Sequence, residues 1–164
     1  MEDLSSGKAQ GVSIVRVARE WVGTPYRHQA SCRLVGTDCL GLVRGIWREL
    51  IGPEPETVGT YSADWAEAST RENLLDGLSR HFRRLDVNDA KAGDILAFRM
   101  FPSAPVKHLG ILSSDFDSVP SPLMIHAYSG LSVCETRLTA AWQRRIKAVF
   151  SFPHVECLNH WKSV

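Results

Sequence analysis

The chain has 164 residues, 44% of them hydrophobic and 23% charged, with a formal net charge of +1. At this length folding removes roughly 70% of the unfolded surface from water, so a core forms without staples, and a single domain over 1–164 is expected, with its core at about 12–153 and a tail at 154–164. Near-neutral charge excludes a broad electrostatic drive toward nucleic acid or anionic membrane, and no stretch approaches the roughly 18 consecutive apolar residues that membrane insertion requires.

Two small basic clusters, Arg80 with Arg83 and Arg84, and Arg144 with Arg145 and Lys147, read as solvated faces. The start, Met1 to Gly7, has neither the basic residues nor the apolar stretch of a secretory signal. Cytoplasmic synthesis is expected, with any exit by a route other than the chain's own signal. Cys32, Cys39, Cys134 and Cys157 are scattered without a CxxC pair, which points to reduced thiols and not to a disulfide framework or zinc ribbon.

Along the chain, Val12, Val15, Ala18, Trp21 and Val22 recur at helical spacing and predict an amphipathic helix over 10–22, stopped by Gly23. A loop follows over 24–37. A second helix is predicted from about Asp38 to Leu50, ending at Gly52-Pro53. After an irregular connection over 51–63, a third is predicted over 70–82, with Leu74, Leu75, Leu78 and Phe82 facing inward. Beyond Asp89 the texture becomes extended. Short apolar runs at 94–98, 108–112 and 123–127 read as strands, with more at 131–135 and 146–152 and a helical turn at 139–143. Helices followed by strands at hairpin spacing predict an α+β fold with an antiparallel sheet.

The chemistry centres on Gly36-Thr37-Asp38-Cys39-Leu40-Gly41-Leu42-Val43. Asp38 is a good N-cap and Cys39 opens the helix. A free cysteine has a pKa of about 8.5, and a helix N-terminus favours its thiolate through unpaired N–H groups and the dipole. The same N–H groups suit an oxyanion, and Gly41 permits close approach of another segment or a substrate. A buried structural cysteine is the plain alternative. A base is available in His108, which begins one apolar strand, or His126, near the end of the next. Neighbouring antiparallel strands would bring the two imidazoles together, giving a nucleophile, base and orienter in Cys39, His108 and His126. His28, His81, His154 and His160 read as surface or loop residues.

These residues resemble a known family. Asp38-Cys39-Leu40-Gly41-Leu42-Val43, preceded by Gly23-Thr24-Pro25-Tyr26, is similar to the NlpC-type cell-wall cysteine peptidases, whose pattern sets a Pro-Tyr segment before Asp-Cys-Ser-Gly-Leu-Val. Ala92-Gly93-Asp94-Ile95-Leu96-Ala97-Phe98, His108-Leu109-Gly110-Ile111 and Ile125-His126-Ala127 follow in the family's order, from about Val12 to Pro153 overall. The resemblance implies a papain-like fold with the cysteine helix packed on an antiparallel sheet, and no cofactor. It implies Cys39 as nucleophile, His108 as base, His126 as the third polar residue and Tyr26 as a hydrogen-bonding group near the oxyanion or substrate. The implied substrates are peptidoglycan stem peptides.

Two departures stand out. Arg27-His28-Gln29-Ala30 replaces the common Trp-Gly-Gly, which bears on recognition, and Leu40 replaces the usual Ser. With Arg44 to Leu50 and Phe98-Arg99-Met100, these features resemble the branch found in phage tails and gene transfer agents, which implies other tail proteins as partners and transport in a particle. Three further readings remain: a structural tail-tip module that keeps the peptidase fold, thiol-based acyl transfer on lipid, and a metal site at His154, Cys157 and His160, which recur every third residue.

Overall fold

The computed structural model describes residues 4–59 and 72–154. Helix α1 runs Leu4–Glu20, beginning earlier than the 10–22 periodicity predicts. Its buried stripe is Ile14, Val15, Val17, Ala18 and the following Trp21, whereas Val12 and Val22 are 64% and 41% exposed. Ile14, Val17, Ala18 and Trp21 keep the i, i+3, i+4, i+7 spacing of one helical face, so the true face is rotated from the expected one. Gly23 ends the segment at φ +90°, a left-handed conformation that side-chain-bearing residues avoid.

A two-residue hairpin, β1 (Ser31–Cys32) and β2 (Gly36–Thr37), lies within the stretch expected to be loop. It leads into α2 (Cys39–Leu50), the helix predicted from Asp38 to Leu50. Leu42, Val43, Ile46 and Trp47 bury one side of α2. A Cβ on Gly45 would lie 2.1 Å from the Trp21 ring, so α1 and α2 approach closely there. The Trp21 indole N–H, otherwise a buried orphan, donates to Glu49 Oε1 at 3.0 Å.

Helix α3 (Asn73–His81) is shorter than expected, but Leu74, Leu75 and Leu78 are buried as its pattern requires. Phe82 follows, meeting Trp47 and Phe152 edge-on, each at 5.2 Å between centroids. Strand β3 (Arg83–Leu85) was not legible in the sequence, because its two arginines read as a solvated cluster. They are exposed and form the edge of a sheet, the position where charge blocks further pairing.

The remaining strands are β4 (Ile95–Arg99), β5 (Val106–Leu112), β6 (Leu123–Ala127), β7 (Val133–Arg137) and β8 (Ile146–Ser151), with a short helix α4 (Ala140–Gln143) before β8. The seventh is displaced by two residues from the expected 131–135, since Gly130 at φ +81° turns the chain first. All pairs in the six-stranded sheet are antiparallel, in the order β3-β8-β4-β5-β6-β7. The α+β architecture with an antiparallel sheet is the one expected. Alternation along the strands makes two cores. Ile95, Ala97, Leu109, Ile111, Ile125 and Phe150 pack with the helices, while Leu96, Phe98, Leu112, Met124, Leu138 and Val149 build a second cluster on the other face.

Candidate active site

Asp38 builds the cysteine side. In extended backbone, at φ −104° and ψ −174°, it caps α2 by accepting the Gly41 N–H at 2.7 Å. Its other oxygen accepts the Gln29 N–H at 2.8 Å. Gln29 lies in the stretch where the family pattern has Gly-Gly, and it adopts φ +63°. A non-glycine residue there costs on the order of 1–3 kcal/mol, and the bond to the buried Asp38 carboxylate offsets part of that. The chain that approaches Gly41 is this same loop: a Cβ on Gly41 would lie 1.9 Å from the Ala30 carbonyl oxygen. The first turn of α2 is thereby fixed to the 27–38 loop, and Cys39 projects from it. The Cys39 sulfur lies 3.9 Å from the carbonyl oxygen of Lys107, against the backbone of β5 next to His108.

The histidine side is made by register. His108 pairs with Phe98 across β4–β5, and His126 pairs with Cys134 across β6–β7. Pairing between β5 and β6 is confined to Ile111↔Ile125 and Leu112↔Met124, so the two strands part before reaching the histidines. Cys39 meets β5 where it has parted from β6. A bulge at Phe98/Arg99 bends the same end of the sheet. His108 Nε2 and His126 Nδ1 are 2.9 Å apart, and His126 Nε2 lies 3.1 Å from Thr136 Oγ1. Trp142 of α4 stacks against the pair with its centroid 5.5 Å from each imidazole, and Tyr128 lies 5.8 and 5.7 Å from them.

No protein-family model and no curated protein sequence matches this chain. Solved structures do. The NlpC/p60 domain of the peptidoglycan hydrolase SagA matches with a TM-score of 0.57 at 24% identity, over 87% of this chain and 98% of that one. An NlpC/P60 family protein from Bacillus cereus gives 0.60 at 18%, over 88% of this chain and 40% of that one. NlpC2 from Trichomonas vaginalis gives 0.58 at 18%, over 87% and 46%. The chain has the NlpC/p60 fold. It spans less than half the length of the latter two proteins.

Within this NlpC/p60 fold, burial sets the protonation states. The His108 imidazole, 8% exposed, is held down at about 3 from 6.5 by burial and then by the His126 ring. Burial alone brings His126 to about 4. The Cys39 thiol is pushed up to about 12 by burial and by the Asp38 carboxylate, against the N–H groups of Leu109, Leu40 and Cys39 itself. The helix N-terminus thus acts in the expected direction, toward the thiolate, but is outweighed by burial and the Asp38 carboxylate. Tyr26 is half-buried, and burial, Cys39 and Asp38 raise its phenol. It therefore remains an O–H donor beside the cysteine at neutral pH.

His28 Nδ1 lies 3.7 Å from Asp38 Oδ2, so it belongs to the cap and is more than a loop residue. His81 approaches Glu56 at 3.4 Å, and His154 is exposed. Cys157 and His160 lie outside the described residues. Among the described residues no group of three His, Cys, Asp or Glu side chains could hold a metal ion, and no helix is long and apolar enough to cross a membrane. Sequence reasoning missed Thr136, Tyr128 and Trp142. Thr136 alone had a signal: once Ile125-His126-Ala127 is paired with the following strand, a polar residue two positions beyond His126's partner shares its face.

Proposed function

We propose that the chain is a cysteine peptidase or amidase that hydrolyses amide bonds in bacterial peptidoglycan stem peptides. The observation that carries this is the 2.9 Å contact between His108 Nε2 and His126 Nδ1, made where β5 also receives the Cys39 sulfur. That contact commits one nitrogen of His108 to His126 and leaves Nδ1 as the nitrogen for Cys39. In this reading the Cys39 proton moves to His108 Nδ1 as the sulfur attacks the amide carbonyl carbon. The N–H groups at the start of α2 and the Tyr26 hydroxyl stabilise the resulting oxyanion. The imidazolium protonates the amine as the C–N bond breaks, leaving a thioester on Cys39. Water then attacks the thioester, His108 takes its proton and returns it to the departing sulfur, and the acid is released. No cofactor enters any step.

Burial disfavours the charged form of both groups, so the proton moves to His108 in step with the attack of the sulfur and not through a standing ion pair. A histidine in the third position orients His108 and accepts its Nε2–H, but brings no negative charge to the imidazolium. The substrate class is supported by the resemblance of the four motifs and by the printed name of a structural neighbour, a peptidoglycan hydrolase. The replaced loop at 27–30, with Arg44 to Leu50 and Phe98 to Met100, supports a place in a phage or gene-transfer-agent tail, where tail proteins are partners and the particle carries the enzyme to the cell wall.

The test is incubation of the protein with purified peptidoglycan fragments and identification of new termini by mass. Cleavage within the stem peptide is expected. Intact fragments would turn the reading toward a tail-tip module with a structural role.

A further inference from the structure

We propose that Thr136 sets the tautomer of His126, and through it keeps His108 Nδ1 unprotonated, as a positioning residue of the site. The inference rests on the assignment of His108 as the base for Cys39.

The contacts form one chain: His108 Nε2 to His126 Nδ1 at 2.9 Å, then His126 Nε2 to Thr136 Oγ1 at 3.1 Å. A neutral imidazole carries one ring proton, so each ring donates at one nitrogen and accepts at the other. The chain therefore has two directions. In the first, His108 Nε2–H donates to His126 Nδ1, and His126 Nε2–H donates to Thr136 Oγ1. His108 Nδ1 then holds a lone pair and accepts the thiol proton. In the second, the Thr136 hydroxyl donates to His126 Nε2, and His126 Nδ1–H donates to His108 Nε2. The remaining proton then sits on His108 Nδ1, which cannot act as a base.

An amide or carboxylate in place of His126 would offer an acceptor oxygen whichever way its neighbours pointed. An imidazole does not, and its direction has to be set from outside. The working direction puts an N–H on the far side of a residue that is 4% exposed. A buried donor without an acceptor is among the costliest polar defects. Thr136 Oγ1 supplies that acceptor. It stands on β7 two residues past Cys134, the register partner of His126, so the two side chains share a face and meet diagonally. Thr136 is half-buried, so its own proton has solvent to turn to while Oγ1 accepts. Among the rings around the pair, Phe98 has no polar atom, the Trp142 indole can only donate, and Tyr128 meets both imidazoles through its ring, while the hydrogen bond at His126 Nε2 goes to Thr136.

The test compares wild type, Thr136→Val and Thr136→Ser, with the ring nitrogens of His108 and His126 read by 15N NMR. Val matches Thr in shape, and thermal unfolding checks that each variant is folded. Wild type and Thr136→Ser are expected to carry protons on Nε2 of both rings, and Thr136→Val on Nδ1 of both. Correspondingly, kcat on peptidoglycan fragments should fall by roughly 10- to 100-fold in Thr136→Val, with KM unchanged and Ser restoring the rate. A wild-type proton on His108 Nδ1, or wild-type tautomers in Thr136→Val, would overturn the proposal. A fall in kcat without a change of tautomer would also overturn it, since the role would then be structural only. The NMR readout decides the matter even for a protein that cleaves no fragment, which separates this failure from failure of the hydrolase reading.

Discussion

Cys39 stands on a helix whose first turn is fixed by side-chain hydrogen bonds, whereas His108 and His126 stand on strands set by sheet register, with their rings walled mainly by other rings. On the cysteine side, the Asp38 carboxylate holds Gly41 and Gln29, and the Ala30 carbonyl closes over the helix start. These partners lie close together in the chain. On the histidine side, Phe98, Tyr128 and Trp142 surround the two imidazoles, and among the described residues the hydrogen bonds of the ring nitrogens run along the line from His108 to Thr136. With the histidines themselves, these residues come from four strands, the turn after β6 and a short helix. A local polar frame tolerates little substitution but little rearrangement either; an apolar frame sets protonation by excluding water. The thiol is raised and the imidazoles are lowered by that shared burial.

The largest expected effect is at the point where the sides meet. Cys39→Ala should abolish stem-peptide cleavage, measured by mass, while the melting temperature remains near that of wild type, because the side chain caps nothing. Next, His108→Gln should lower kcat by about 10²- to 10⁴-fold, the usual contribution of a general base. The shape and burial of the site should persist, so steady-state kinetics with little change in KM is the check.

The packing side makes a further prediction in its pH dependence. Unfolded histidines take up protons near 6.5, while folded His108 and His126 wait until about 3 and about 4. Between those limits the unfolded chain binds more protons, so stability falls as pH drops below 6.5. Asp94 opposes this, since burial raises it from 3.8 to about 6 and its folded form is protonated first in that window. Two histidines outweigh one aspartate, and thermal melts from pH 7 to pH 4 should show a steady loss. His126→Gln should flatten that slope; an equally steep slope would place its origin elsewhere.

The polar frame answers to smaller changes. Asp38→Ala should cost about 1 kcal/mol or somewhat more, because the cap and the Gln29 bond are lost together, as chemical denaturation would report. Asp38→Asn keeps an acceptor and removes the charge that raises Cys39. It should therefore leave stability closer to wild type and make the thiol more acidic.

The same contrast governs what the sequence reveals. The cysteine side is legible because its signal is contiguous: Asp38 as cap, Cys39 as first helical residue and Gly41 under a close approach all lie in one short segment. Helix α2 and five of the six sheet strands follow from caps, periodicity and apolar runs. His108 and His126 are legible as strand-end histidines, since hairpin connectivity makes them neighbours. Thr136 and Trp142 are not, because their places depend on a two-residue shift of β7 and on how α4 folds back over the sheet. The upward shift of the thiol is hidden from the sequence for a related reason. Helix polarity is local, whereas the burial that outweighs it comes from strands far along the chain. The 27–30 loop shows the converse, with a visible departure whose consequence, Gln29 at φ +63° held by Asp38, appears only in three dimensions.

The pairing of His108 as base with Cys39 can be tested without any substrate. Alkylation of Cys39 by iodoacetamide, resolved from the other cysteines by peptide mass mapping, is followed across pH in wild type and His108→Gln. At neutral pH Cys39 should react faster in the wild type than in the variant, because His108 takes the proton as the sulfur attacks, and the two rates should converge as pH climbs toward the thiol's own raised value. Identical profiles in the two proteins would contradict the pairing.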